Sequence, residues 1–234
     1  MKRVFKIMAL EIKRKRFLLN LMISFFLVSC ILFLNYFLSK NLSVMNLKDI
    51  PIIYLRLISY VMLVNCSFSL TQEFTNKTDK IIFTGIFTRN EIMISKLISF
   101  WITGIISFVF YEIISIICGT FNLNIIFSNF ISFFIYSFTL GSFILLISGI
   151  TTNFIITGIV GYLLYFDLIL VLFNQALASS TNEILKYVIE KIPFYIANTG
   201  FYLGNYTGLQ SIIMAASGML FLIVACVIIN RKNM

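Results

Sequence analysis

An all-α membrane protein of six transmembrane helices, with both termini cytoplasmic, is what this sequence predicts, and three observations carry the prediction. Hydrophobic residues make up 60% of the 234 and charged residues 12%, whereas about a quarter of a soluble domain is charged. The apolar residues gather into runs of about twenty, the length that crosses a bilayer core. Lys and Arg cluster on one side of the resulting topology, as they do on the cytoplasmic face of a membrane. A mean hydropathy of +1.00 agrees. The net charge of +9 would point to nucleic acid in a soluble chain, but here it reports that topological bias and no nucleic-acid partner is expected.

Residues 1–16 hold Lys2, Arg3, Lys6, Lys13, Arg14, Lys15 and Arg16 against a single acid, Glu11. With a turn of about 100° per residue, Val4, Phe5, Met8 and Ile12 share one side of a helix and Lys2, Lys6 and Lys13 the other. That is the pattern of an amphipathic helix lying on membrane lipid. A cleaved signal peptide is the competing reading. The length of the basic region, the full-length apolar run after it and the lack of a small-residue cleavage site favour an uncleaved start.

Six spans follow within a single transmembrane domain, over 17–38, 52–70, 97–118, 128–149, 154–173 and 209–229. The fourth and fifth nearly fuse, and Thr151, Thr152 and Asn153 supply the break. Six crossings put both termini on one side. Thirteen of the eighteen Lys and Arg residues lie there, in the N-terminal segment, in residues 71–97 and in the tail. That side is cytoplasmic, and the chain is expected in a plasma membrane as a multi-pass protein, with its motif resemblance implying a bacterial one.

Residues 71–96 form the one charge-mixed segment between two long apolar runs, with Glu73, Lys77, Asp79, Lys80, Arg89, Glu91 and Lys96. Ionised groups are costly in hydrocarbon, so the segment is expected to protrude. Residues 76–83 can make two turns of helix, capped by Asn76 or Thr78. Charges in such a segment contribute little to a bundle, so removing Glu73 or Arg89 is expected to uncouple the protein rather than unfold it.

The order of residues here resembles the E-x-x-x-G-T … P-x-x-R … K pattern of permease subunits in type-2 ABC exporters. The matching residues are Glu73, Thr78, Arg89 and Lys96, with Lys77 where the family often has Gly and Ile86 where it often has Pro. The resemblance implies a coupling site for soluble ABC ATPase subunits made of Glu73, Thr78, Asp79, Arg89 and Lys96, with the Thr151, Thr152 and Asn153 turn as a second contact. It implies a homodimer, or a heterodimer with a related permease. ATP and Mg would be bound by the partner, and no cofactor is expected in this chain. Small permeases of this kind imply an amphipathic or apolar cargo, antimicrobial or toxin peptides above all.

Residues 174–208, on the outer side, are too long for a simple turn. A short helix is expected over 182–191, and Pro193 favours a fresh helix start. Phe194, Tyr195, Phe201, Tyr202 and Tyr206 are the type that forms a belt at headgroup level. The resemblance implies instead short helices that roof the transport path. Three charges fall inside spans, Arg56, Glu112 and Asp167, all about 7–9 Å inside the outer boundary at the helical rise. An Arg56–Asp167 or Arg56–Glu112 pair, within or between subunits, is the expected solution. The resemblance places the second and fifth spans along the path and makes these charges candidates for a gate.

The remaining motifs narrow the function. None of the 11 glycines is followed by Lys, so there is no P-loop. No nucleophile elbow or zinc-peptidase motif appears. There is no His, and Cys30, Cys66, Cys118 and Cys226 all lie in or beside apolar runs, which suggests neither a metal site nor a disulfide framework. The chain is therefore read as no enzyme in itself. The alternatives are an ATP-independent secondary transporter or channel-like protein, and a non-catalytic membrane immunity factor.

Overall fold

In hydrocarbon every backbone N–H and C=O must be paired within the protein, and a helix does this without leaving an edge. The computed structural model describes residues 4–5, 15–42, 47–75, 87–165, 167–180, 182–202 and 205–231, and among these there are helices and turns but no strand. In chain order the helices are α1 (Lys15–Leu42), α2 (Ile50–Thr75), α3 (Arg89–Ile117), α4 (Ile126–Thr151), α5 (Phe154–Tyr165), α6 (Asp167–Ser179), α7 (Glu183–Glu190), α8 (Pro193–Tyr202) and α9 (Gly208–Arg231). Six of these stretches are long and apolar enough to cross a membrane: α1, α2, α3, α4, α5 with α6, and α9. The expected surface helix over 1–16 lies almost wholly outside the described residues, and the coupling helix over 76–83 lies wholly outside them.

The helices run further than the apolar runs do. α2 continues to Thr75 and α3 starts at Arg89, so 71–75 and 89–96 are the ends of two spans rather than parts of a protruding loop. The reason at α3 is local. Thr88 and Glu91 form a capping box, in which Thr88 Oγ1 accepts from the Glu91 N–H at 3.3 Å and Glu91 Oε2 accepts from the Thr88 N–H at 2.9 Å. Two orphan donors at the helix start are thereby satisfied.

α4 is the axis of the bundle. Its span is 72% buried inside the protein, against 17% for α1 and 22% for α9, so α4 takes the core and the outer helices leave apolar sides such as Phe26, Phe33, Ile212 and Ile223 exposed. Close approach depends on small residues. A Cβ added at Gly218 would come 2.7 Å from the Phe138 ring of α4. α3 carries a stripe of buried hydroxyls, Ser95, Ser99, Thr103 and Ser107. Ser99, Thr103 and Ser107 each donate to the carbonyl four residues back, at 3.1, 3.3 and 2.7 Å, which lets small side chains line a packed face without orphaned donors.

Candidate functional site

Two polar clusters stand out, one at each end of the bundle. At the first end α2 finishes, α3 begins, α4 finishes, α5 begins and α9 finishes. Glu73 in the last turns of α2 and Lys96 in the second turn of α3 are each 3% exposed. Lys96 Nζ lies 3.6 Å from Glu73 Oε1 and donates to the Ser69 carbonyl at 2.7 Å and to Ser69 Oγ at 3.3 Å. The expectation that Glu73 is a solvated charge outside the bundle is therefore corrected. An acid and a base facing each other across two helices can both be buried, because each supplies the other's counter-charge.

Arg89 ties the same end to the last span. Its guanidinium Nη1 donates to the Ile229 carbonyl at 2.6 Å and to the Asn230 carbonyl at 3.1 Å. These are among the carbonyls that the end of α9 leaves without helical partners, and a cation there also faces the negative end of the helix dipole. Asn230 Nδ2 donates to Asn90 Oδ1 at 2.9 Å beside it. α4 joins the cluster where Gly149 meets Ile229, since a Cβ on Gly149 would sit 3.3 Å from Ile229 Cδ1.

The α4–α5 turn is built from three residues, each with a separate task. Thr151 Oγ1 donates to the Ile147 carbonyl at 3.0 Å, so in its 2.7 Å contact with Thr157 it is Thr157 that donates. Thr152 takes the left-handed conformation at φ 54 and ends α4, its N–H returning to the Ser148 carbonyl. Asn153 Oδ1 accepts from the Ile155 N–H at 2.9 Å and so caps the start of α5. Thr78 and Asp79 lie outside the described residues.

At the opposite end two of the span charges, Glu112 and Arg56, meet partners other than each other. Glu112 Oε1 accepts from Asn129 Nδ2 at 3.0 Å, which pins the end of α3 to the start of α4. Arg56 is exposed and its guanidinium lies 5.7 Å over the Tyr202 ring. The two charges are thus not paired with each other in one chain: a buried amide meets Glu112, and an aromatic face meets Arg56. Asp167 is the first residue of α6.

α8 is inserted into the bundle rather than laid on it. Ile196, Ala197, Asn198, Gly200, Phe201 and Tyr202 are buried. Phe201 stacks on Tyr136 of α4 with ring centroids 3.9 Å apart. A Cβ on Gly200 would overlap the Tyr206 ring, so the chain doubles back at a distance only Gly allows. The belt reading of this aromatic set is corrected for Phe201, Tyr202 and Tyr206, which are core residues. Burial pushes the Tyr206 phenol well above its usual pKa, and it stays neutral while donating to the Ala197 carbonyl at 3.3 Å.

Asn198 is the residue that sequence reasoning missed. Fully buried, it donates from Nδ2 to the Tyr165 carbonyl at 2.6 Å and to the Phe194 carbonyl at 3.0 Å. It thereby ties the inserted α8 to the backbone of α5. The available signal was a lone amide in the apolar stretch after Pro193. Among the described residues no three His, Cys, Asp or Glu side chains gather where they could hold a metal ion. No protein-family model matches the chain, and no curated protein matches it.

Proposed function

We propose that this chain is the membrane-spanning permease subunit of an ATP-driven exporter whose ATPase is a separate soluble polypeptide. The observation that supports the reading most is the buried Glu73–Lys96 pair, because it makes a rigid clamp of the two helix ends that flank the charged residues 76–86. Arg89 carries the same clamp to the end of α9. A partner pressing on this end would move α2, α3 and α9 together rather than bend one loop, which is what coupling to a nucleotide cycle requires. The motif resemblance of Glu73, Thr78, Arg89 and Lys96 points the same way.

In this reading two copies, or this chain with a related permease, enclose the path and two ATPase subunits drive it. Arg56 and Asp167 belong to the path or its outer gate. The cargo is amphipathic or apolar, with antimicrobial or toxin peptides the first class to try. The decisive experiment purifies the chain together with any soluble ATPase found encoded beside it and measures ATP hydrolysis in lipid across a panel of peptides, lipids and drugs. Stimulation that vanishes when Arg89 is replaced by Ala supports the reading. Failure of any soluble ATPase to co-purify, with transport intact, would favour a carrier working alone.

A further inference from the structure

The end of the bundle opposite the Glu73–Lys96 clamp carries a surface cleft that none of the foregoing uses. α7 is the most strongly amphipathic helix among the described residues. Ile184, Leu185, Tyr187 and Val188 are exposed on one side, Glu183, Lys186 and Glu190 occupy the other, and only Ile189 is buried. A short helix with an exposed apolar face beside a membrane span lies in the plane of the interface. Between it and the start of α9 runs an apolar cleft of about 510 Å³ lined by Tyr187, Leu209, Ile212 and Ile213, with Lys191 at its rim. A polar cleft of about 310 Å³ adjoins it through Lys191 and Leu209 and is lined also by Glu190, Tyr195, Thr199 and Gln210.

The two halves differ in kind. One offers mainly apolar contact, in the volume range of roughly 300–1,000 Å³ typical of small-molecule sites. The other holds a base and an acid from neighbouring residues. Lys191 Nζ is held 5.2 Å over the Tyr187 ring, at the junction of the halves. Glu190 faces Tyr195, whose phenol is pushed up by burial and then by the Glu190 charge. Gln210 Oε1 is taken by the Thr207 N–H at 2.9 Å, which leaves its NH₂ group as a donor. An anion at Lys191 and Gln210, a cation at Glu190 and an alkyl chain along α9 describe one ligand.

We propose that this cleft binds a phospholipid with a zwitterionic headgroup, its phosphate on Lys191 and Gln210, its ammonium on Glu190, and one acyl chain along Leu209, Ile212 and Ile213. A Lys ammonium suits a phosphate as a point charge. An acid beside it selects against purely anionic lipids by leaving their headgroups facing a like charge. The site rests on the outer cleft alone and does not depend on an ATPase partner.

The test uses the purified full chain in detergent with phosphatidylethanolamine, phosphatidylglycerol or diacylglycerol of matched chains, with retained lipid read by native mass spectrometry. The expected order is phosphatidylethanolamine first and diacylglycerol last. K191Q should lower phosphatidylethanolamine retention about five-fold, the worth of one basic group at a membrane surface, and E190Q should erase the preference over phosphatidylglycerol. K186Q removes a charge from the same helix outside the cleft and should change nothing. Equal retention of the three lipids, a K186Q effect as large as that of K191Q, or unaltered preference in E190Q overturns the proposal. A K191Q variant that loses a dimeric mass while keeping its lipid overturns it in favour of a second copy of the chain in the cleft.

Discussion

Lys96 Nζ and Glu73 Oε1 meet 3.6 Å apart with both side chains 4% exposed, so the ends of two spans are fastened by an ion pair that water does not reach. Removing one partner of such a pair costs roughly 3–5 kcal/mol, because the other is left charged and buried. Glu73→Ala and Lys96→Ala should each lower thermal stability in lipid accordingly. A joint Glu73→Leu, Lys96→Met variant should recover most of it. ATPase stimulation measured on the joint variant separates two roles: recovery of folding without stimulation marks a coupling residue, whereas recovery of both leaves the pair as a bundle lock.

Arg89 supplies two bonds to the carbonyls of Ile229 and Asn230, and hydrogen bonds to a charged group are worth about 1.5–3 kcal/mol when well formed. Since Arg89 is only half-buried, Arg89→Ala should cost at the lower end of that range. The loss should be local. Faster amide exchange at the end of α9, with α4 unchanged, is the expected pattern; equal acceleration in both helices would mean that Arg89 supports the whole bundle.

Thr152 sits at φ 54, where a β-branched residue is strained by roughly 1–2 kcal/mol. Thr152→Gly should raise the melting temperature despite losing the Thr152 Oγ1 bond to the Thr151 carbonyl, and Thr152→Val should lower it. If the strain serves coupling in the proposed exporter, a partner ATPase assembled with the stabler Gly variant will respond less to cargo.

The crossings were legible because span length and charge are one-dimensional signals, and six apolar runs survive any detail of packing. The continuation of α2 to Thr75 and the start of α3 at Arg89 were not, since Glu73 and Lys96 each look like loop charges until they are seen to face each other. The turn at Thr151, Thr152 and Asn153 was readable from its polar side chains. The core position of Phe201 and Tyr202 was not, because an aromatic residue at the membrane interface and one inside the bundle have the same composition. Gly200 under the Tyr206 ring and Asn198 beneath Tyr165 distinguish the two cases only once the chain's return path is known.

Asn198→Leu tests that inserted helix directly. Leu has the branched shape of Asn but loses both bonds that Nδ2 donates, to the Tyr165 and Phe194 carbonyls, and each such bond is worth about 0.5–1.5 kcal/mol. A drop of that size in unfolding free energy, measured in lipid, is expected, together with easier proteolysis between α6 and α9. No loss of stability would mean that other groups reach these carbonyls.

Arg56 poses the last question, whether a charge near the end of a span gates a path or only fastens two helices. Its guanidinium stands 5.7 Å over the Tyr202 ring, while the Tyr202 hydroxyl lies 3.3 Å from Ser59 Oγ. Tyr202→Phe keeps the ring and loses the hydroxyl, Tyr202→Leu loses both, and Arg56→Gln keeps a shorter polar chain but loses the charge. A cation–π contact at an exposed site is worth about 0.5–1 kcal/mol, so Arg56→Gln should cost little stability. Fastening alone predicts that transport follows stability across the three variants, with Tyr202→Leu worst. A gate predicts that Arg56→Gln alters transport most while melting close to the wild type. The Arg56→Ala, Asp167→Ala double variant then discriminates further: it restores transport lost in Arg56→Ala if the charges only balance each other, and fails to restore it if either one meets the cargo.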